Sequence, residues 1–300
     1  MVGYLFAGQG SQYVGMGKDL FETFPEAKQV FEKADKVLGL SLSSLMFNGP
    51  LEELTKTYNC QPAIVTMSIA CWQIYKAKHP QTDGYFAGLS LGEYSALVAA
   101  GALGFEDAVY LVRKRGEFME KEAVEHPGKM LSIIGLELDK VKEICQAVKA
   151  EVANINCPGQ VVISGSAEAI ETAQGLAKEK GAKLAVILEV SGAFHSSFMQ
   201  GASVKLAKEL ENIRFNEPEF PVINNVTARP ASGTDEIKDN LIRQVSGSVL
   251  WEDSMGFMLS KGVSNFIEFG PGKVLKGLMR RIDSNSQVRN IEKKEDLTLK

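Results

Sequence analysis

A Gly-x-Ser-x-Gly pentapeptide at residues 88–92 constrains the local fold more than any other segment of this sequence. A short apolar run, Tyr85-Phe86-Ala87, precedes it, and an apolar-periodic stretch begins near Glu93. This order predicts a strand, a sharp turn and a helix, the setting in which a serine is exposed as a nucleophile. Glycine is needed on both sides because side chains there would crowd the turn. Ser90 is therefore the first candidate catalytic residue.

Pentapeptides of this kind also occur by chance, so a catalytic interpretation needs a partner elsewhere in the sequence. Histidine is the commonest general base for serine, and the chain has three histidines. His79 and His126 each precede a proline and are predicted to be surface turn residues. His195 follows a predicted strand and lies among small residues that leave room for a partner. We therefore favour His195 as the base over a purely structural role.

Charge and cysteine content exclude several classes of protein. The net charge of −4 argues against a dedicated nucleic-acid binder, which would present a basic domain. No apolar run approaches the roughly 20 residues needed to span a bilayer. The four cysteines show no C-x-x-C spacing, so we expect reduced core thiols rather than a disulfide framework or a metal site. A cytoplasmic monomer without a metal or cofactor is the expectation.

The alternation of predicted elements indicates an α/β protein with an insertion. Strand and helix signals alternate over the first 120 or so residues, which predicts a layered α/β domain with a parallel sheet. Residues 127–190 are predicted to follow the order β-α-β-β-α-β, typical of a small ferredoxin-like domain. Residues 1–126 and 191–300 would then form one large α/β-hydrolase-like domain. Three helices are predicted before the insertion apart from the one after Ser90: Phe21–Leu38, Pro62–Lys78 and Glu106–Ala123.

The order of the candidate residues along the chain narrows the class of enzyme. In α/β-hydrolases the acid follows the serine and the histidine comes last. Here His195 lies far from the C-terminus, with the predicted insertion between it and Ser90. An ordinary lipase or esterase is therefore disfavoured.

Six segments of this sequence occur in the order and with the spacing of one known family. They are Phe6-Ala7-Gly8-Gln9-Gly10-Ser11-Gln12, residues 88–92, Arg115-Gly116, residues 156–165, residues 192–196 and Glu268-Phe269-Gly270-Pro271-Gly272. Together they resemble the malonyl-CoA:acyl carrier protein transacylases and the related acyltransferase domains of fatty acid and polyketide synthases. The resemblance covers nearly the whole chain, and its specificity comes from the six matches together.

The resemblance implies a role for each matching residue. Ser90 would be acylated by a thioester, and His195 would act first as base and then as acid. A backbone carbonyl from the segment matching Gln244 would orient the histidine, since this family has no triad carboxylate. Gln9 and the backbone N–H of Leu91 would form the oxyanion hole, and such a donor is typically worth about 10²- to 10³-fold in rate.

Three further positions bear on the choice of substrate. The resemblance assigns Arg115 to the malonyl carboxylate, which suits a planar guanidinium; the alternative is a solvated arginine in the run Arg113-Lys114-Arg115. Leu89 stands where this family usually has histidine, so we expect a changed pocket polarity rather than lost activity. Phe194 resembles the malonyl-selective pattern, in which a bulky side chain crowds out an α-methyl branch.

The resemblance implies malonyl-CoA as substrate, a phosphopantetheinylated acyl carrier protein as partner, and no nucleic acid, membrane or cofactor. An acyl hydrolase that clears carrier proteins is one alternative, and a non-catalytic carrier-binding protein is another. Arg115 argues against the hydrolase, and the pair Ser90 and His195 argues against the non-catalytic protein. Basic residues of the last predicted helix, such as Lys276, are expected to form a solvated face rather than a docking surface. The choice between fatty acid and polyketide synthesis stays open.

Overall fold

The computed structural model describes residues 1–81 and 83–298. The strands in this part of the chain are β1 (Val2–Phe6), β2 (Gly84–Gly88), β3 (Lys129–Ile134), β4 (Glu151–Cys157), β5 (Gln160–Gly165), β6 (Leu184–Ile187), β7 (Val222–Ile223), β8 (Val249–Leu250), β9 (Asn265–Phe269) and β10 (Gln287–Ile291). The helices are α1 (Lys18–Thr23), α2 (Pro25–Leu38), α3 (Leu42–Asn48), α4 (Leu51–Thr55), α5 (Thr57–Lys78), α6 (Gly92–Ala99), α7 (Phe105–Glu125), α8 (Leu138–Val148), α9 (Ala167–Glu179), α10 (Gln200–Glu211), α11 (Thr234–Ser246), α12 (Trp251–Ser260), α13 (Val274–Ile282) and α14 (Lys294–Thr298).

A five-stranded parallel sheet in the order β10-β9-β1-β2-β7 forms the centre of the fold. Its central strand β1 is apolar and buried from Gly3 onward, as expected of a parallel strand covered on both faces. Helix α5 is apolar on all sides and lies against one face of the sheet. There Trp72 contacts Tyr4 edge to face, with ring centroids 5.4 Å apart. The predicted α/β class with a parallel sheet is confirmed.

A second five-stranded sheet has the order β6-β3-β5-β4-β8. Strands β3 to β6 and helices α8 and α9 follow the predicted order β-α-β-β-α-β, and the pairs among these strands are antiparallel. The two helices pack on this sheet around a core of their own. Strand β8, which lies outside the insertion in sequence, pairs in parallel with β4. The domain limits at residues 127 and 190 stay a prediction.

Two predicted helix boundaries are wrong because of proline. The helix predicted over Phe21–Leu38 is two helices, separated at an extended Phe24, since a residue before proline avoids the helical conformation. The helix predicted to begin at Pro62 begins at Thr57 and contains that proline.

Proline inside a helix removes one hydrogen bond to the carbonyl four residues earlier, here Tyr58. The Tyr58 carbonyl instead accepts from Arg113 Nη1 at 3.2 Å, so a side chain replaces the missing helical donor. Strand β10 and the pairing of β8 were not predicted either. Within the described ranges, no helix has the length and apolar character needed to cross a membrane.

The turn between β2 and α6 has the predicted strand–turn–helix form. Ser90 has φ of 51°, in the left-handed region that non-glycine residues rarely adopt. A Cβ on Gly88 would lie 1.9 Å from the carbonyl carbon of Gly92, and a Cβ on Gly92 would lie 2.2 Å from the carbonyl oxygen of Phe6. Both glycines are therefore required by close approach of backbone to backbone.

Replacing Gly88 with alanine is expected to lower the free energy of unfolding by at least about 2 kcal/mol, because neither backbone segment can yield. Gly175→Ala is the matched control: Gly175 lies in α9 with no atom within 4 Å of the added Cβ. This control is expected to stabilise the protein by about 0.5–1 kcal/mol. Urea unfolding followed by circular dichroism measures both changes, and equal effects at the two glycines would contradict the packing argument.

Candidate active site

Ser90 and His195 meet at the carboxyl end of the parallel sheet. Ser90 Oγ lies 2.8 Å from His195 Nε2. Like Ser90, His195 has a left-handed backbone, with φ of 56°. The other two histidines are exposed at the C-terminal ends of α5 and α7, as predicted.

The second imidazole nitrogen of His195 contacts a backbone carbonyl. Nδ1 lies 2.8 Å from the carbonyl oxygen of Gln244. Because a carbonyl only accepts, the proton is on Nδ1, and the lone pair of Nε2 faces the Ser90 hydroxyl. Within residues 1–81 and 83–298, no carboxylate hydrogen-bonds to this imidazole. The structure thus places the Gln244 carbonyl where the resemblance expects it.

The environment keeps His195 neutral in the free protein. Burial and, second to it, the positive charge of Arg115 lower the pKa of His195 to about 4, against the backbone hydrogen bonds that raise it. A neutral imidazole can accept a proton from Ser90 throughout the physiological pH range.

Arg115 is a buried cation beside Ser90. Its side chain is fully buried, and Nη2 donates to Ser90 Oγ at 3.0 Å and to Gln244 Oε1 at 3.1 Å. Nη1 donates to Gln61 Oε1 at 2.9 Å. No carboxylate in the described part of the chain forms an ion pair with it, whereas neighbouring Arg113 pairs with Glu117. A buried guanidinium solvated by neutral amides is a receptor for an anion.

Asn225 holds the backbone of the sharp turn from the neighbouring strand. Its Oδ1 accepts from the N–H of Ser90 at 2.6 Å, and its Nδ2 donates to the carbonyl of Gly88 at 2.8 Å. Sequence reasoning missed this residue. The available signal was a polar pair, Asn224-Asn225, directly after a short apolar strand at the same edge of the sheet as Ser90.

Two other polar side chains of the network were also missed. Gln61 is fully buried in the apolar helix α5, and Glu93 is buried in the first turn of α6. Gln61 Nε2 donates to Gln9 Oε1 at 3.5 Å. Because this contact uses the oxygen of the Gln9 amide, the NH₂ group of Gln9 can donate to another partner. A polar residue within a long apolar run was the signal, because buried polar groups need partners.

A cavity of about 420 Å³ opens above Ser90. Gln9, Leu89 and Phe194 line it together with Ser90, Arg115 and His195. Met130, Asn154 and Val162 line it from the second sheet, so both sheets contribute walls. Leu91 is buried at the N-terminus of α6, where backbone N–H groups have no acceptor within the helix.

The chain matches the family model described as "Acyl transferase domain" over residues 3–293. It belongs to this family. The malonyl CoA-acyl carrier protein transacylase of Bacillus subtilis (strain 168) is 47% identical over 99% of this chain and 95% of the relative.

Two solved structures share the whole acyl transferase fold. An acyl carrier protein S-malonyltransferase from Vibrio cholerae has a TM-score of 0.96 and 41% identity, covering 99% of this chain and 98% of that one. A malonyl-transacylase in complex with its type II polyketide synthase acyl-carrier protein has a TM-score of 0.96 and 40% identity, covering 99% and 97%.

The acyl transferase has one group of side chains in its described part that could share a metal ion, Glu122, Glu125 and His126. This group lies outside the cavity, and Glu122 already pairs with Lys205 at 2.6 Å. The described side chains around Ser90 include no such group, and its hydroxyl contacts the His195 imidazole and the Arg115 guanidinium.

The pKa of His195 is expected to be near 4 in the free protein and to rise in Arg115→Ala, because the positive charge of Arg115 disfavours imidazolium. A pH titration of the imidazole resonances by NMR measures both values, and assignment is simple with three histidines. Arg243→Ala, an exposed position next to Gln244, serves as the control and should leave the value unchanged. A wild-type pKa at the ordinary 6.5 would contradict the prediction.

Proposed function

We propose that this acyl transferase moves a malonyl group from coenzyme A to the phosphopantetheine thiol of an acyl carrier protein through a malonyl-Ser90 intermediate. The observation that carries the proposal is the buried Arg115, whose Nη2 lies 3.0 Å from Ser90 Oγ and which has no carboxylate partner in the described residues. Relatives named as malonyl transacylases over nearly the full chain support the same substrate.

In the first half-reaction, His195 Nε2 accepts the proton of the Ser90 hydroxyl as Oγ attacks the thioester carbonyl of malonyl-CoA. The negative charge that forms on the carbonyl oxygen is stabilised by an N–H of Gln9, the backbone N–H of Leu91 and the N-terminus of α6. Collapse breaks the carbon–sulfur bond, and His195 returns the proton to the departing coenzyme A thiol. The ester on Ser90 and free coenzyme A are the products.

In the second half-reaction, the carrier thiol takes the place of coenzyme A. His195 Nε2 accepts the thiol proton while sulfur attacks the ester carbonyl, and the same donors stabilise the intermediate. Ser90 Oγ leaves and regains its proton from His195. Since one product leaves before the second substrate reacts, the kinetics are ping-pong.

Arg115 selects acyl groups that carry a free carboxylate. A guanidinium matches a carboxylate in a planar, two-point contact that is strong where water is excluded. The malonyl carboxylate is one carbon from the reacting carbonyl, so it can reach Arg115 while that carbonyl lies at Ser90. A hydrolase of uncharged acyl chains has no need for this buried charge.

Phe194 and Leu89 shape the remaining walls near the acyl group. Phe194 would crowd an α-methyl branch and so favour malonyl over methylmalonyl. Leu89 would make the wall beside Ser90 apolar where relatives of this family usually place histidine. A cytoplasmic monomer without a cofactor, and a carrier from either fatty acid or polyketide synthesis, stay predictions.

Mixing the protein with malonyl-CoA in the absence of carrier is expected to produce a malonylated protein in intact mass spectrometry. Ser90→Ala should show no adduct, because the change removes the hydroxyl that contacts His195 Nε2. Adding a phosphopantetheinylated carrier should then remove the malonyl group from the wild-type protein and leave it on the carrier. An adduct that persists in Ser90→Ala, or none in the wild type, would overturn the proposal.

Arg115→Ala is expected to lower kcat/KM for malonyl-CoA by about 10- to 100-fold, the loss typical of a hydrogen bond to a charged group. The value for acetyl-CoA should change much less, so the preference for malonyl over acetyl falls. Arg243→Ala is the matched control and should preserve the preference. If Arg115→Ala also left the preference for malonyl over acetyl unchanged, and acetyl groups were hydrolysed faster than transferred, the result would favour the hydrolase alternative.

A further inference from the structure

Glu93 is a buried carboxylate that the reaction itself does not use. It lies in the first turn of α6, is 2% exposed, and does not line the cavity above Ser90. Its Oε2 accepts from the backbone N–H of Asn225 at 2.9 Å and from Gln244 Nε2 at 2.7 Å. Of these two partners, Asn225 contacts the backbone N–H of Ser90, and Gln244 contacts the imidazole of His195 through its backbone carbonyl.

Gln244 connects Glu93 to Arg115 through its side-chain amide. Nε2 donates to Glu93 and to the carbonyl of Ser90 at 3.1 Å, while Oε1 accepts from Arg115 Nη2 at 3.1 Å. A carboxylate can only accept and a guanidinium can only donate. The amide between them therefore has a single orientation that satisfies both, with its NH₂ group toward Glu93 and its oxygen toward Arg115.

Without the carboxylate, the Gln244 NH₂ group loses its shortest and only charged acceptor among the described residues, because the Ser90 carbonyl and Asn225 Oδ1 lie at 3.1 and 3.5 Å. A reversed Gln244 amide would direct two N–H donors at the Arg115 guanidinium, which has no acceptor to offer. Arg115 would then lose one of the amide oxygens that hold it beside Ser90. The same residue also supplies the carbonyl that contacts His195, so a shift of Gln244 would reach the imidazole as well.

We propose that Glu93 is a positioning residue that orients the Gln244 amide and thereby holds Arg115 in place for the carboxylate of the incoming acyl group. The substrate part of this inference rests on the proposed function. The structural part, the orientation of Gln244 and the placement of Arg115, stands on the hydrogen bonds alone.

The electrostatics agree with this arrangement. Burial raises the pKa of Glu93, and the hydrogen bonds from Asn225 and Gln244 and the charge of Arg115 lower it, so that the pKa lies at about 7. In the other direction, the Glu93 charge raises the pKa of Arg115 against the dominant effect of burial. The carboxylate thus stabilises the buried cation across an amide, without occupying the face that a substrate anion would use.

The test compares three changes with a matched control. Glu93→Ala removes the acceptor, Glu93→Met fills the space without an acceptor, and Glu93→Gln keeps an oxygen that can accept from the same two N–H groups. Glu268→Gln is the control, because Glu268 is equally buried with a pKa raised to about 7, but it accepts from Leu275 and Lys276 at the start of α13.

The kinetic readout is the ratio of kcat/KM for malonyl-CoA to that for acetyl-CoA. Glu93→Ala and Glu93→Met should lower this ratio by about 10-fold, whereas Glu93→Gln should stay within about 3-fold of the wild type. Glu268→Gln should lower the melting temperature and leave the ratio unchanged. A merely structural role of Glu93 would lower stability without changing the ratio, and that result would overturn the proposal.

Two readouts do not depend on activity. In a crystal structure of Glu93→Ala, Arg115 should no longer donate to Gln244 Oε1, and unchanged contacts would overturn the proposal. In the wild-type protein, the side-chain NH₂ protons of Gln244 should exchange slowly with water in NMR spectra, and rapid exchange would overturn it. If both results are as expected but the wild type takes up no malonyl group, the proposed function fails and the positioning role of Glu93 stands.

Discussion

The strained turn at Ser90 is the constraint on which the rest of the site depends. A non-glycine residue in the left-handed region costs on the order of 1–3 kcal/mol and persists only where its surroundings impose it. Here Gly88 and Gly92 allow backbone segments to touch, and the Asn225 amide binds the backbone on either side of Leu89, at the Gly88 carbonyl and the Ser90 N–H. Because Asn225 follows the adjacent strand β7, the parallel sheet helps to hold the backbone of the turn that carries Ser90.

The second organising principle is the way the buried charge of Arg115 is accommodated. A buried cation next to a carboxylate would form an ion pair and have little left for a ligand. This guanidinium instead donates to the amide oxygens of Gln61 and Gln244. The Glu93 carboxylate contacts the Gln244 amide and not the guanidinium itself. The same positive charge helps to keep His195 neutral. One arrangement therefore suits both the proposed anion receptor, Arg115, and the proposed base, His195.

The sequence predicted those parts of the fold and site whose determinants are local. The turn at 88–92, the β-α-β-β-α-β order and the pairing of Ser90 with His195 all follow from short patterns or from the small number of histidines. Pro25 indicated the break at Phe24, but the prediction treated both residues as part of one helix. The start of α5 was missed because α5 continues through Pro62, where Arg113 supplies the hydrogen bond that the proline cannot donate. Strand β8 has two residues, too few for any periodic signal.

By itself, the sequence predicted the candidate nucleophile, its candidate base and the candidate carboxylate receptor, because each lies in a recognisable local setting or resembles a known motif. Only the tertiary structure decided what holds them. Asn225, Gln61 and Glu93 are ordinary polar residues in sequence. Gln61 contacts Arg115 and Glu93 contacts Gln244, and each of these pairs is at least 54 residues apart along the chain. Such contacts exist only once the sheet and helices bring distant segments together, since a hydrogen bond depends on distance in space and not in sequence.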